Sequence, residues 1–229
     1  MSWIVRQLHC PEFKVSDEPD FTNQFNPSVN RDPIYAGRHF FITSSDMNHP
    51  APPGRKRLVI DASNSFGSGS HASTQLVIQA LERRPPLNAT VLDIGCGSGI
   101  LSAVAQELGA AQVFACDTHI GALSCARKHS PAACLFAGSI DALAPAFADV
   151  GIVNISSTAI DRLADELYRV VKPTGLLILA GFTTDRTPAR VHPEEIFQLN
   201  DWICWLCRPE GIKSPQAPTT LQPFPEQWW

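Results

Sequence analysis

From residue 89 onward the apolar positions change rhythm several times, and each change marks an element. Ala89–Ile94 (ATVLDI) is a continuous apolar run ending in Asp-Ile-Gly, the pattern of a central parallel strand covered on both faces. Beyond the glycines, Ile100–Leu108 has apolar residues at helical spacing and stops at Gly109, a natural C-terminal cap. Gln112–Cys116 reads as a second strand ending at Asp117, followed by a helical stretch to about His129. Cys134–Ala137 and Val150–Ile155 read as two more strands. Asp161–Val171 is helical, with Leu163, Leu167 and Val170 on one face, and is closed by Pro173-Thr174-Gly175. Leu176–Ala180 is a fifth strand, and Glu195–Leu199 with Trp202–Cys207, separated by Asn200-Asp201, reads as a hairpin. Alternating strand–helix units that end in a hairpin predict a doubly wound α/β sheet. It is mostly parallel with one antiparallel edge strand, and helices cover both faces. Its ligand crevice belongs at the carboxyl ends of the strands, near the first strand-to-helix turn.

The flanks lack this rhythm. Residues 1–56 hold seven of the 19 prolines and read as an irregular arm or lid with short strands at most. Residues 57–208 form the predicted domain. Residues 209–229 hold five more prolines and read as a tail, disordered or laid along a surface as extended chain; the terminal Trp228-Trp229 is expected to be disordered rather than docked on a partner. The arm's Phe21, Phe25, Tyr35, Phe40 and Phe41 are candidates either to cover a small-molecule pocket or simply to pack over the sheet.

Composition narrows the function classes. In 229 residues, 44% hydrophobic and 17% charged, a packed core is expected and wholesale disorder is excluded. A net charge of −4 argues against nucleic acid as the main partner, and Arg55-Lys56-Arg57, Arg83-Arg84 and Arg127-Lys128 read as solvated faces. No run approaches the ~18 apolar residues of a membrane span, and the N-terminus lacks an apolar signal core, so a cytoplasmic location is expected. Seven cysteines, an odd number, fit free thiols. Cys204 and Cys207 form a CxxC, but on a strand they point to opposite sides, and no metal site is expected.

The chemistry concentrates in the first turn, Asp93-Ile94-Gly95-Cys96-Gly97-Ser98-Gly99. Glycines there let a ligand approach the backbone, with the next helix aiming its N-terminal amides at it. Asp93 would repel a pyrophosphate yet suit an ammonium group, and the spacing is G-x-G-x-G rather than the dinucleotide G-x-G-x-x-G. Asp117, 22 residues after Gly95, is placed to accept hydrogen bonds from both ribose hydroxyls. Together these residues favour S-adenosyl-L-methionine over a nicotinamide or flavin dinucleotide. Asn154 ends the fourth strand, where a transferring methyl would emerge, and its carbonyl can accept from a substrate amine. His71 is a candidate to shape the site or receive a proton, with an ordinary helix-start role as the alternative. His119 either flanks the adenine or serves helix entry.

The segments SFGSGSHAST (Ser65–Thr74), VLDIGCGSGIL, FACD, VNIS and KPTGLLILAGF together resemble the PrmA family of class I methyltransferases. Members of that family modify lysines and the N-terminal amine of ribosomal protein L11. The resemblance covers about Leu58 to Arg208 and implies a Rossmann-like class I methyltransferase sheet. It implies cofactor contacts at Thr74, Gly95, Asp117 and Asn154, to which the reading of the loop adds Asp93, Gly97 and Gly99. It implies N-methylation of an amine on a protein; a small metabolite is the other acceptor class. Alternatives are a small-molecule O- or other heteroatom methyltransferase of specialised metabolism and a non-catalytic cofactor-binding scaffold. Two departures stand out. Ser156 occupies a position where the family carries Leu, and about 56 unpatterned residues stand where the family has a substrate-recognition domain.

Overall fold

The computed structural model describes residues 32–61, 68–209 and 219–221. Expectations for Phe21, Phe25, Ser65–Gly67 and Trp228-Trp229 therefore lie outside the described residues. Three short strands come first: β1 (Ile34–Ala36), β2 (Phe40–Thr43) and β3 (Lys56–Val59). They form their own sheet, β1 antiparallel and β3 parallel to β2. Then follow α1 (Ala72–Arg83), β4 (Thr90–Ile94), α2 (Ile100–Glu107), β5 (Gln112–Asp117), α3 (Ile120–His129) and β6 (Cys134–Ala137). The chain continues through β7 (Ala148–Asn154), α4 (Ser157–Val170), β8 (Val171–Thr183), β9 (Glu195–Leu199), β10 (Trp202–Cys207) and β11 (Thr219–Leu221).

The main sheet has the order β11-β9-β10-β8-β7-β4-β5-β6. Strands β8, β7, β4, β5 and β6 are mutually parallel, whereas β10 runs antiparallel between β8 and β9. The strand order reverses at β4, which lies between β5 and β7, so the crevice of a doubly wound sheet opens above its carboxyl end. This is the predicted architecture. The antiparallel strand, however, sits one place in from β9, and three residues of the proline-rich tail extend the sheet as β11, parallel to β9.

Alternation along the strands divides the core. Val91, Ile152, Ile178 and Ala180 face one cluster, with α1 and α2 packed on it; Leu92, Val153, Leu177 and Leu179 face a second, with α4. In α4, Ile160, Ala164, Leu167 and Val170 are at most 1% exposed and fall on one helical stripe. Truncating Leu167 to alanine would cost roughly 2–5 kcal/mol. The helix starts at Ser157, a turn earlier than the periodicity predicts, because the Ser156 hydroxyl accepts the Ala159 N–H at 3.4 Å.

The β6–β7 and β8–β9 connections contain no helix, and α4 holds both of them. The Arg169 guanidinium donates to the carbonyls of Ile140, Asp141 and Leu143, while Asp161 accepts from the N–H groups of Ala189 and Arg190. Pro173-Thr174-Gly175, read as a turn, lies instead inside β8. Val171 pairs with Ala148 and Leu176 with Val150, so the residues between bulge out.

On the opposite face, α1 is buried from Ser73 to Leu81. The small sheet explains this. Phe40, Ile42, Leu58 and Ile60 share a cluster with Leu76 and Ile78. The β1–β2 turn wraps around Glu82, whose carboxylate accepts the N–H groups of Arg38 (2.8 Å) and His39 (2.9 Å). Phe40 and Phe41 are 1% and 4% exposed, which makes them packing residues of this layer. Cys204 and Cys207 face opposite clusters, as a strand requires. Among the described residues no helix is long and apolar enough to cross a membrane.

Candidate active site

The loop after β4 is held by backbone contacts. The N–H groups of Gly95 and Cys96 both donate to the Cys116 carbonyl, at 2.9 and 3.0 Å. The Gly97 N–H donates to Asp117 Oδ2 at 3.0 Å, and the His119 N–H to Oδ1 at 2.8 Å. Each Asp117 oxygen thus keeps a lone pair for a further donor, and the residue is half-buried at the end of β5. This suits a pair of ribose hydroxyls. Thr118, His119 and Ile120 are exposed beside it, with His119 at the N-cap position of α3.

Gly95 and Gly97 adopt positive φ (73° and 53°) and are half-buried. Gly99, expected in the cofactor set, is buried at φ 81°, and a Cβ there would lie 2.8 Å from Ala126 Cα. Close packing of α2 against α3 demands glycine at this position, independently of any ligand. Asp93, at the end of β4 immediately before the loop, is 1% exposed beneath it and accepts from the Ser102 hydroxyl at 2.6 Å. Burial pushes its carboxyl up to about 6, opposed by the Ser102 hydrogen bonds. Asp93 therefore braces β4 to α2, and any attraction to an ammonium acts from below the loop. Cys96 and Cys116 are buried thiols, Cys116 pushed up to about 12 by desolvation, and neither is poised as a nucleophile.

The other half of the crevice is assembled from side chains distant in sequence. Asn154, at the end of β7, points its amide Nδ2 at Thr74 Oγ1 in the first turn of α1, at 3.5 Å. That long hydrogen bond brings together two predicted residues 80 positions apart and leaves the Asn154 carbonyl oxygen for another partner. His71 caps α1: its Nδ1 accepts the Ser73 N–H at 3.3 Å. Its ring meets Trp202 edge to face, with centroids 4.3 Å apart. The sequence reading missed Trp202, as well as Ile155 and Gly181. A Cβ on Gly181 (φ 95°) would lie 2.4 Å from the Ile155 carbonyl oxygen, and one on Gly95 would lie 2.6 Å from Ile155 Cγ2. The loop after Asn154 thus crosses two glycines at van der Waals distance. The "AGF" after the fifth strand was the available signal. His129 was missed too: its Nδ1 lies 2.7 Å from the Ser98 carbonyl oxygen and its Nε2 accepts the Asp61 N–H, tying the glycine loop to the segment that leads to α1.

A sequence profile of the family described as ribosomal protein L11 methyltransferase (PrmA) matches residues 10–204. This chain belongs to the PrmA family. It is 32% identical over 195 residues to the ribosomal protein L11 methyltransferase of Prochlorococcus marinus (strain MIT 9303), a match spanning 80% of this chain and 64% of that relative. It is 35% identical over 187 residues to the enzyme of the same description from Parasynechococcus marenigrum (strain WH8102), covering 76% and 63% respectively. The chain thus spans a little under two thirds of the length of these PrmA relatives. A solved ribosomal protein L11 methylase from Lactobacillus delbrueckii subsp. bulgaricus superposes with TM-score 0.70 at 24% identity, covering 77% of this chain and 98% of that one. The PrmA resemblance read from the motifs, and the fold it implies, both hold.

Proposed function

We propose that this PrmA-family chain is an S-adenosyl-L-methionine-dependent methyltransferase that N-methylates an amine on a protein. One observation carries the reading. The Asp117 carboxylate with its glycine loop, and the Asn154–Thr74 pair, stand at the carboxyl ends of β5, β4 and β7, which are adjacent in the sheet. The cofactor supplies a methyl group already activated on a sulfonium. The chain's task is then to hold two partners in line, which can contribute ~7–11 kcal/mol. Asp117 anchors the ribose. Gly95 and Gly97 admit the rest of the cofactor against the backbone, beside the N-terminus of α2. The Asn154 carbonyl accepts an N–H of the acceptor amine and so aims the nitrogen lone pair along the carbon–sulfur axis.

The amine must arrive neutral, and a free lysine titrates near ~10.4. Desolvation in the crevice lowers that value, and no dedicated base is required. With the cofactor bound, the new carbon–nitrogen bond would form as the thioether leaves with the carbon–sulfur electron pair, and the methylated nitrogen would release its proton to water. The relatives' descriptions name ribosomal protein L11, which makes it the first acceptor to test.

The test joins calorimetry with S-adenosylhomocysteine to mass spectrometry of recombinant ribosomal protein L11 and a panel of small amines after incubation with enzyme and cofactor. Cofactor binding with methylated L11 is the expected result. Methylation confined to the small amines would move the acceptor to metabolites. Binding without any turnover favours a scaffold, and no binding at millimolar cofactor overturns the proposal. Asn154→Ala is expected to lower kcat about 100-fold while changing cofactor affinity far less.

A further inference from the structure

The two ring nitrogens of His71 are not equivalent in this structure. His71 is the N-cap of α1, with extended backbone (φ −69°, ψ 137°), and Nδ1 receives the Ser73 backbone N–H. The Ser73 hydroxyl lies 2.8 Å from the same nitrogen. A hydroxyl hydrogen rotates to suit its partner, but a backbone N–H can only donate. Nδ1 must therefore present its lone pair to the helix, and the neutral ring keeps its proton on Nε2. Protonating the ring would put a hydrogen on Nδ1 and expel the cap from a buried helix. A base at this position needs the reverse arrangement, a lone pair on the outward nitrogen.

The place of His71 in the sheet bears on which ligand its Nε2–H could meet. Trp202, against which the ring rests, opens β10 and pairs with Thr183 at the end of β8. From β5, where Asp117 stands, the sheet runs through β4, β7 and β8 to β10. At ~4.8 Å per strand, Trp202 lies ~10 Å beyond the strand of Asn154, on the side away from the ribose anchor. With the ribose at Asp117, as proposed above, this would be the acceptor end of the crevice.

We propose that His71 is a positioning residue and not a base: a neutral imidazole, tautomer-locked by its own helix cap, whose Nε2–H holds a carbonyl or carboxylate oxygen of the methyl acceptor while Trp202 sets the ring angle. A peptide substrate brings such oxygens in its backbone amides, whereas a plain alkylamine brings none. His71 thereby favours an amine carried on a peptide. The substrate side of this inference rests on the methyltransferase reading above; the tautomer does not.

The experiment has two arms on the full chain. Long-range proton–nitrogen correlation spectra of histidine-labelled protein, above the ordinary titration range, report the tautomer, with His71→Asn assigning the signal. An Nε2–H pattern is expected, and an Nδ1–H pattern overturns the proposal. The second arm compares His71→Asn, which keeps a capping oxygen but removes the outward donor, with His71→Gln, which restores an outward N–H but caps poorly. With recombinant ribosomal protein L11 as acceptor, His71→Asn should raise KM about tenfold, leaving kcat, affinity for S-adenosylhomocysteine and Tm nearly unchanged. His71→Gln should recover KM despite a lower Tm. A large fall in kcat with loss of a limb of the pH–rate profile would make His71 a base. Unchanged kinetics in His71→Asn would make it a cap and nothing more. If the wild type binds S-adenosylhomocysteine yet leaves L11 unmethylated, the acceptor assignment fails while the tautomer signal still decides between donor and base.

Discussion

The two halves of the crevice are built by different means. The half over β4 and β5 is determined many times over: by the Cys116 carbonyl, by both oxygens of Asp117, by the Gly99–Ala126 packing and by the Asp93–Ser102 bond. The half over β7, β8 and β10 rests on the 3.5 Å Asn154–Thr74 hydrogen bond, the His71 helix cap, the His71–Trp202 ring contact and the packing of Ile155 on Gly181, with a single side-chain hydrogen bond among them joining distant parts of the chain. On the proposed function, a loop holding an invariant cofactor would gain from rigidity because its ligand never changes. A wall meeting the acceptor and made of side chains could be altered without disturbing the loop.

Substitutions on the two sides should separate along this line. The largest effect is expected for Asp117→Ala, which removes both the loop anchor and the proposed ribose acceptor. Two charge-assisted hydrogen bonds at ~1.5–3 kcal/mol each predict at least a ~100-fold weaker affinity for S-adenosylhomocysteine by calorimetry. Gly99→Ala combines strain at φ 81° with a 2.8 Å contact and should cost roughly 2–4 kcal/mol, read as a lower Tm. Gly54, at φ 80° with open space around it, is the control: Gly54→Ala should lose only about 1 kcal/mol.

The buried Asp93 gives a pH signature of known sign. Its carboxyl lies at about 6 in the folded state against 3.8 unfolded, so between these values the folded chain binds more protons. Its contribution to stability therefore falls as pH rises from about 4 to above 6. Asp93→Asn should stabilise the cofactor-free protein above that window by on the order of 2–3 kcal/mol, with the advantage shrinking toward pH ~4 in paired melting curves. On the acceptor side, Ser156→Ala removes only the cap of α4 and should cost about 1 kcal/mol. A drop as large as that of Gly99→Ala would show that the second half is as firmly braced as the first.

The same contrast explains what could be read from the sequence. The glycine loop, Asp117 and the strands around them are local: a run of apolar residues, a turn and a carboxylate at a fixed spacing announce them. Asn154 was legible as a strand end, but its cofactor role and Thr74 came through the family resemblance, because no local pattern links residues 80 apart. Trp202 was legible as the start of a strand but not as a neighbour of His71, since only the antiparallel pairing of β10 with β8 brings them together. The burial of Asp93 was not legible, because alternation near a glycine turn does not say which side stays covered. The bulge at Pro173-Thr174-Gly175 eluded the pattern because those residues read as a turn wherever they occur.

The antiparallel insertion of β10 also has a consequence for the order in which the chain is made. Strands β4, β5 and β6 with their helices are complete once residue 137 has been synthesised, so the loop and its carboxylate can assemble early on the ribosome. Trp202 arrives some 65 residues later, and its strand must settle between β8 and β9, two neighbours already made. On the proposed function, a nascent chain would hold the nucleoside end of its crevice well before it could recognise anything to modify.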